Sequence, residues 1–205
     1  MRETIVSHFG LDPRAIRPFE GLRLLDIGCG GGLISEPMAR LGAQVTAVDA
    51  SENNIKTASV HAKSQGLEID FRAGTAEALL ASDEPPFDVV LNMEVIEHVA
   101  DPETYLKDCC GLVRPGGMTA VATLNKTAKA LALAVVGAEY ILGGRRSGKK
   151  ENQKFLKPEQ ITDWLEAAGL ECEPAQGVSY NPLGDSWSLS GDTDINYMVV
   201  ARKPA

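Results

Sequence analysis

The chain has 205 residues, 44 % of them hydrophobic and 23 % charged, with 20 Lys and Arg against 28 Asp and Glu for a net charge of −8. This is the composition of a folded chain long enough to bury one core, and it shows no repeat and no long low-complexity tract. The acidic balance argues against non-specific nucleic-acid binding, no apolar run reaches the ~20 residues of a membrane span, and MRETIVSHFG has no signal-peptide pattern.

The pattern along the chain alternates strand and helix. RLLDIG (Arg23 to Gly28) reads as a first strand ending in glycines, with a helix from Ile34 to Leu41 and a second strand QVTAVD (Gln44 to Asp49). Ser51 can cap a helix that runs to about Gln65. EIDFR (Glu68 to Arg72) is a third strand, and FDVVLNM (Phe87 to Met93) is a fourth, continuously apolar as a buried parallel strand is. Asp101-Pro102 opens a helix with Tyr105, Leu106 and Cys109 on its apolar face. The turn RPGG leads into a fifth strand, MTAVATL. Pro158 starts a late helix with Ile161, Trp164, Leu165 and Ala168 on one side, stopped by Gly169, and NYMVVA (Asn196 to Ala201) is a final strand. Strands separated by helices predict parallel pairing and one doubly wound α/β sheet, in a single domain over residues 1–205. Lys126 to Leu142, followed by GGRRSGKK, is Ala- and Leu-rich. It reads either as a helix packed on the body or as a lid or membrane-contact insertion over about 126–155.

Cys29, Cys109, Cys110 and Cys172 form no CxxC pair and argue against zinc. They are expected to be reduced core thiols of an intracellular protein, with Cys109–Cys110 as the one candidate redox pair. His8 and His61 read as surface or packing residues.

The chemistry concentrates where strands end. Strand one runs into Asp26-Ile27-Gly28-Cys29-Gly30-Gly31-Gly32-Leu33, and strand two ends in Asp49, where a ribose-binding carboxylate belongs in such a unit. A dinucleotide loop would place a third glycine at position 33, which is Leu. The spacing is instead Gly28, Gly30, Gly32, preceded by Asp26, whose charge would repel a pyrophosphate. Asp26, Asp49, Glu94 and Glu97 all fall at predicted carboxyl ends of strands. An acidic crevice there suits a cationic cofactor, S-adenosylmethionine, over NAD. Gly74-Thr75-Ala76-Glu77 is a small-residue loop able to close over an adenine, with Thr75 offering a hydrogen bond.

After strand four comes Met93-Glu94-Val95-Ile96-Glu97-His98. If a helical turn starts here, Glu94, Glu97 and His98 share one face. They would then bind a hard cation such as Mg²⁺, or His98 would act as general base, or the group would cap the loop and hold backbone.

LLDIGCGGG, VTAVDAS, FDVVLNMEVIEHVAD, LVRPGG, TLNKT, VVGAEYIL, KFLKPEQ, YNPL and DINYM resemble one family, the ubiquinone-biosynthesis O-methyltransferases within the class I S-adenosylmethionine-dependent methyltransferases. The likeness covers nearly the whole chain, and MEVIEHV, TLNKT, GAEYIL, YNPL and NYM carry its specificity. It implies a mostly parallel, seven-stranded, Rossmann-like sheet with helices on both faces. The implied activity is methylation of a polyprenylated catechol or quinol hydroxyl, with S-adenosylhomocysteine as product. It carries cofactor contacts to Gly28, Gly30, Asp49 and Met93, beside Asp26 and Thr75 from loop position. It carries a divalent cation site, Mg²⁺, to Glu94, Glu97 and His98, with Glu94 and His98 as the catalytic pair. It also implies peripheral contact with an inner membrane, on its cytoplasmic or mitochondrial matrix side, and partners in a ubiquinone-biosynthesis complex.

Two departures stand out. Family members carry a segment ahead of this start with an Asn-Pro-x-Arg stretch whose Arg contacts the cofactor, and this sequence begins after it. After GAEYIL the family reads Pro-Lys/Arg-Gly-Thr-His, where this chain has GGRRSGKKENQKF, so substrate access or membrane docking is expected to differ. The alternatives are a class I methyltransferase acting on another small molecule, a non-catalytic S-adenosylmethionine-binding subunit, and an NAD-linked oxidoreductase.

Overall fold

The structure, a computed structural model, describes residues 1–125, 155–181 and 186–205. The Lys126 to Leu142 segment and its basic loop lie outside the described residues, as does the end of the YNPL motif. The elements are α1 (Arg2–Phe9), β1 (Arg23–Ile27), α2 (Ser35–Arg40), β2 (Gln44–Asp49), α3 (Glu52–Ser64), β3 (Asp70–Ala73), α4 (Ala76–Leu80) and β4 (Phe87–Met93). There follow a 3₁₀ turn (Ile96–His98), α5 (Pro102–Gly111), β5 (Val113–Leu124), α6 (Pro158–Ala167), β6 (Glu171–Cys172), β7 (Gln176–Asn181), β8 (Ser186–Ser190) and β9 (Asn196–Arg202).

Local chemistry accounts for the helix ends. Ser51 accepts from the Asn54 backbone N–H and caps α3. Asp101 does the same for Thr104 at 3.2 Å, with Pro102 behind it at the first helical position of α5. Gly169 takes φ +85° just past α6, where a side chain would strain the reversal.

Among the described residues one sheet runs β3-β2-β1-β4-β5-β9-β7-β8, with the two-residue β6 also on β9. Strands β1 to β5 pair in parallel, and β9 enters antiparallel beside β5. The fold is the doubly wound α/β sheet expected, with nine strands where seven were predicted. Six of the nine are the strands located in the sequence; the three not located are β6, too short to leave a pattern, and β7 and β8, a hairpin rich in Gly and Ser.

Helices cover both faces. Ile5, Val6 and Phe19 pack with Leu24, Val45, Val89 and Met118 on one side. On the other, Leu79, Cys109 and Leu112 join Leu25, Val90 and Val113, while Leu106, Ile161 and Leu165 join Val121 and Val199. All four cysteines are free; Cys29, Cys109 and Cys110 are buried and Cys172 is half-buried. Burial pushes the Cys29 and Cys110 thiols up to about 12, which keeps them as inert packing groups. His61 ties α3 to α2 through Glu36, and His8 reaches the Gly116 carbonyl oxygen.

Candidate active site

The winding order reverses between β1 and β4: β2 and β3 lie to one side of β1, β4 and β5 to the other. The carboxyl ends of β1 and β4 therefore open a crevice that no helix among the described residues crosses. The register Ile27↔Asn92 puts the glycine loop beside Met93, Glu94 and Val95. At Gly28, with φ +72°, an added Cβ would sit 2.2 Å from a Val95 methyl. Only glycine permits both this backbone turn and this approach.

A cavity of about 790 Å³ opens there. Asp26, Gly28 and Gly30 form its polar wall, and Met93, Ala122, Val178 and Met198 form an apolar one. Glu94 and Asn196 also line it. Of the residues singled out from sequence, Asp26, Gly28, Gly30, Met93 and Glu94 are thus brought together, while Asp49, Thr75, Glu97 and His98 stand off this wall. A second hollow of about 700 Å³ lies against the edge strand β3, but its Arg23, Arg72 and Glu84 are already paired with one another.

Asp49 organises the loop. One carboxylate oxygen accepts from the Gly30 N–H at 2.9 Å, and the other accepts from the Ser51 N–H at 2.8 Å and the Asn54 side-chain amide at 3.1 Å. It therefore joins the glycine turn to the start of α3 and is half-buried beside the crevice. Thr75 is the N-cap of α4, its hydroxyl accepting from the Ala78 N–H at 3.2 Å. The small-residue loop read from sequence is in fact the entry to a short helix.

Asp26 is 2 % exposed and accepts from the Ser35 hydroxyl at 2.5 Å. Burial raises it to about 6; the Ser35 hydrogen bonds oppose that, and the charge of Asp49 adds to it. A buried carboxylate next to another, with one neutral residue, Ser35, as its partner among the described residues, favours a cation in the adjoining space. Because the folded-state value lies above the ordinary 3.8, Asp26 stabilises the fold fully below that pH, and this contribution is lost as pH rises through about 6. Asp26→Asn should therefore gain stability over the wild type between pH 4 and 7, by on the order of 3 kcal/mol at the upper end. Urea unfolding at both pH values checks this; an offset that does not change with pH would refute it.

The carboxyl cluster after β4 is arranged differently from the expected helical face. Glu94 takes φ +58°, the one non-glycine residue among those described with positive φ. Such strain collects at functional sites. The helical turn begins only at Ile96, as 3₁₀, so Glu94, Glu97 and His98 do not align at i, i+3 and i+4. Glu97 is 2 % exposed and accepts from the Thr123 hydroxyl at 2.8 Å. His98 is exposed, its Nε2 4.0 Å from Glu97. Glu94 is exposed as a residue, but its carboxyl is enclosed and hydrogen-bonded to Glu97. That enclosure and the neighbouring charge raise it to about 7. Among the described residues no three His, Cys, Asp or Glu side chains converge as a metal-ligand set. The three side chains read from sequence form a carboxyl pair with a histidine at its edge.

Sequence reasoning passed over Ser35 and Thr123, the hydroxyl partners of Asp26 and Glu97. Thr123 stands inside the quoted TLNKT motif, but nothing local gives it a role.

The profile of the methyltransferase domain family matches residues 25–121. The chain is 61 % identical over 205 residues to the ubiquinone biosynthesis O-methyltransferase of Maricaulis maris, covering 100 % of this chain and 80 % of that one. It is 57 % identical over 203 residues to the enzyme of that name from Caulobacter vibrioides, covering 99 % and 81 %. Among solved structures, the magnesium protoporphyrin IX methyltransferase of Synechocystis with bound S-adenosylhomocysteine has a TM-score of 0.66 at 20 % identity, over 98 % of this chain and 81 % of that one. An S-adenosylmethionine-dependent methyltransferase from Clostridium acetobutylicum has a TM-score of 0.68 at 15 % identity, over 99 % and 89 %. At these identities the two structures show the shared fold.

Proposed function

The chain belongs to the ubiquinone biosynthesis O-methyltransferase family, and from that premise we propose how its crevice handles S-adenosylmethionine and a polyprenylated catechol or quinol. The observation that carries the reading is the single cavity joining the glycine loop, two carboxyl groups and an apolar wall. Asp26 and the loop it precedes receive the cationic donor, whose sulfonium and ammonium groups meet a carboxylate that has no counter-charge among the described residues. Gly28 and Gly30 let the donor lie against the backbone, and Met93 supports it from β4. Asp49 holds the loop in shape and offers its remaining acceptor capacity to the ribose hydroxyls. Thr75 positions the α4 entry beside the adenine.

Methyl transfer forms a carbon–oxygen bond as the carbon–sulfur bond breaks, with the bonding pair returning to sulfur and the hydroxyl proton leaving. Most of the rate comes from holding oxygen, carbon and sulfur in line. The rest comes from lowering a phenol pKa of about 10 toward neutral, worth about 4 kcal/mol. Glu94 faces the cavity and Glu97 lies behind it, so together they place negative charge at the acceptor end. His98, open to solvent beside them, is the group free to accept the proton. The pair offers hard oxygen donors and has no Lys or Arg partner among the described residues, which fits Mg²⁺; Glu94 and Glu97 would hold it, with His98 at its edge, and it would supply Lewis acidity to the catechol oxygens. The long apolar tail of the acceptor places the enzyme at an inner membrane surface, on the cytoplasmic or matrix side, next to the enzymes that pass it the substrate.

The test is methyl transfer from labelled S-adenosylmethionine to a prenylated catechol, a monophenol and an aromatic carboxylate, after EDTA and after Mg²⁺ is restored. Label is expected on the catechol oxygen, with Mg²⁺ recovering the rate lost to EDTA. Equal rates with EDTA reject the cation, and label on the carboxylate instead rejects the acceptor class.

A further inference from the structure

Glu97 is the inner member of the carboxyl pair, and what holds it comes from a different strand. Thr123 is fully buried near the end of β5, which is hydrogen-bonded to β4 on one side and to β9 on the other, with Thr123 opposite Tyr197. Its hydroxyl donates to Glu97 Oε2 at 2.8 Å, while Oε1 is the oxygen 4.0 Å from His98 Nε2. A glutamate carboxylate turns about a broad two-fold torsion, so its plane is set by its partners. A threonine on a strand is stiff at χ1, so it is a donor of fixed direction.

We propose that Thr123 is a positioning residue for the reaction: its hydroxyl fixes the plane of the Glu97 carboxylate, so that Oε1 is presented on the side of His98 and the Glu94–Glu97 pair keeps one geometry. This rests on the reading that the carboxyl pair serves the acceptor hydroxyl. Thr123→Val keeps the shape and removes the donor, whereas Thr123→Ser keeps the donor. A partner behind a metal or catalytic ligand is worth about 10- to 100-fold.

Three measurements on the full chain decide it: kcat on a catechol, calorimetric affinity for S-adenosylhomocysteine, and Mn²⁺ affinity by electron paramagnetic resonance. Thr123→Val is expected to lose about 10-fold or more in kcat and to weaken Mn²⁺, with S-adenosylhomocysteine affinity unchanged. Thr123→Ser is expected to restore most of both. Wild-type kcat in Thr123→Val, or equal losses in the serine and valine variants, overturns the proposal. Glu97→Gln separates the two levels. If it costs rate while Thr123→Val does not, only the positioning role fails; if neither costs rate, the reading of the carboxyl pair fails and takes this role with it. Should the valine variant not fold, Thr123→Ala against Thr123→Ser is read the same way.

Discussion

Gly28→Ala should weaken S-adenosylhomocysteine binding by about 100-fold, the equivalent of roughly 3 kcal/mol. Two costs add. The alanine must hold φ +72°, which disfavours any residue with a Cβ by about 1–2 kcal/mol. Its methyl would also lie 2.2 Å from Val95 Cγ2, far inside contact distance, so either the loop or the segment after β4 must move. Both move parts of the same cavity, because Glu94 immediately precedes Val95. The second cost can be removed alone: Val95→Ala deletes both offending methyls and leaves its own Cβ at 3.2 Å. The double variant should regain about 10-fold in affinity over Gly28→Ala, leaving the backbone cost behind. Titration calorimetry reads both steps. A single variant that binds within threefold of wild type would mean the turn can open without disturbing the cavity.

Glu97→Gln should lower kcat about 100-fold while leaving S-adenosylhomocysteine affinity within threefold, since Glu97 lies off the cavity wall and acts with Glu94 as a unit. The same variant has a second signature. In the wild type, Glu94 is raised to about 7 by the enclosure of its carboxyl first and by Glu97 next. A carboxyl raised on folding stabilises the protein at low pH, and that contribution disappears as pH rises through about 7. Removing the Glu97 charge lowers the Glu94 value, so Glu97→Gln should lose less stability than the wild type between pH 5 and 8. Chemical denaturation at the two pH values, beside steady-state kinetics, tests both halves. Full activity in Glu97→Gln would remove the pair from the reaction.

The parts of the fold that were legible are those whose cause is local. β1, β2 and β4 are buried apolar runs, and the starts of α3 and α5 are announced by Ser51 and by Asp101-Pro102. The hairpin β7–β8 was not legible, because QGVSYN and SWSLS are held by pairing with one another and with β9. At the site, the glycine spacing and the acids at strand ends were readable. The conformation of ExxEH was not: helical spacing assumes a helix, and the chain passes Glu94 with positive φ before a 3₁₀ turn begins. Ser35 and Thr123 escaped notice because each acts on a residue remote in sequence, 9 and 26 positions away. A hydroxyl's partner is a property of the packed molecule, and no periodicity reports it.

The placement of β9 sets a timetable for biosynthesis. The glycine loop and both strands beside it belong to the first half of the chain, yet Asn196 and Met198 complete the pocket's wall from a strand seated between β5 and β7. A nascent polypeptide in which β9 has not yet been made exposes the flank of β5 and has only part of a donor pocket. The methyl donor can therefore act as a folding ligand only after β9 has been made and seated, and a truncation that removes β9 should abolish that effect even with the whole glycine-loop half intact.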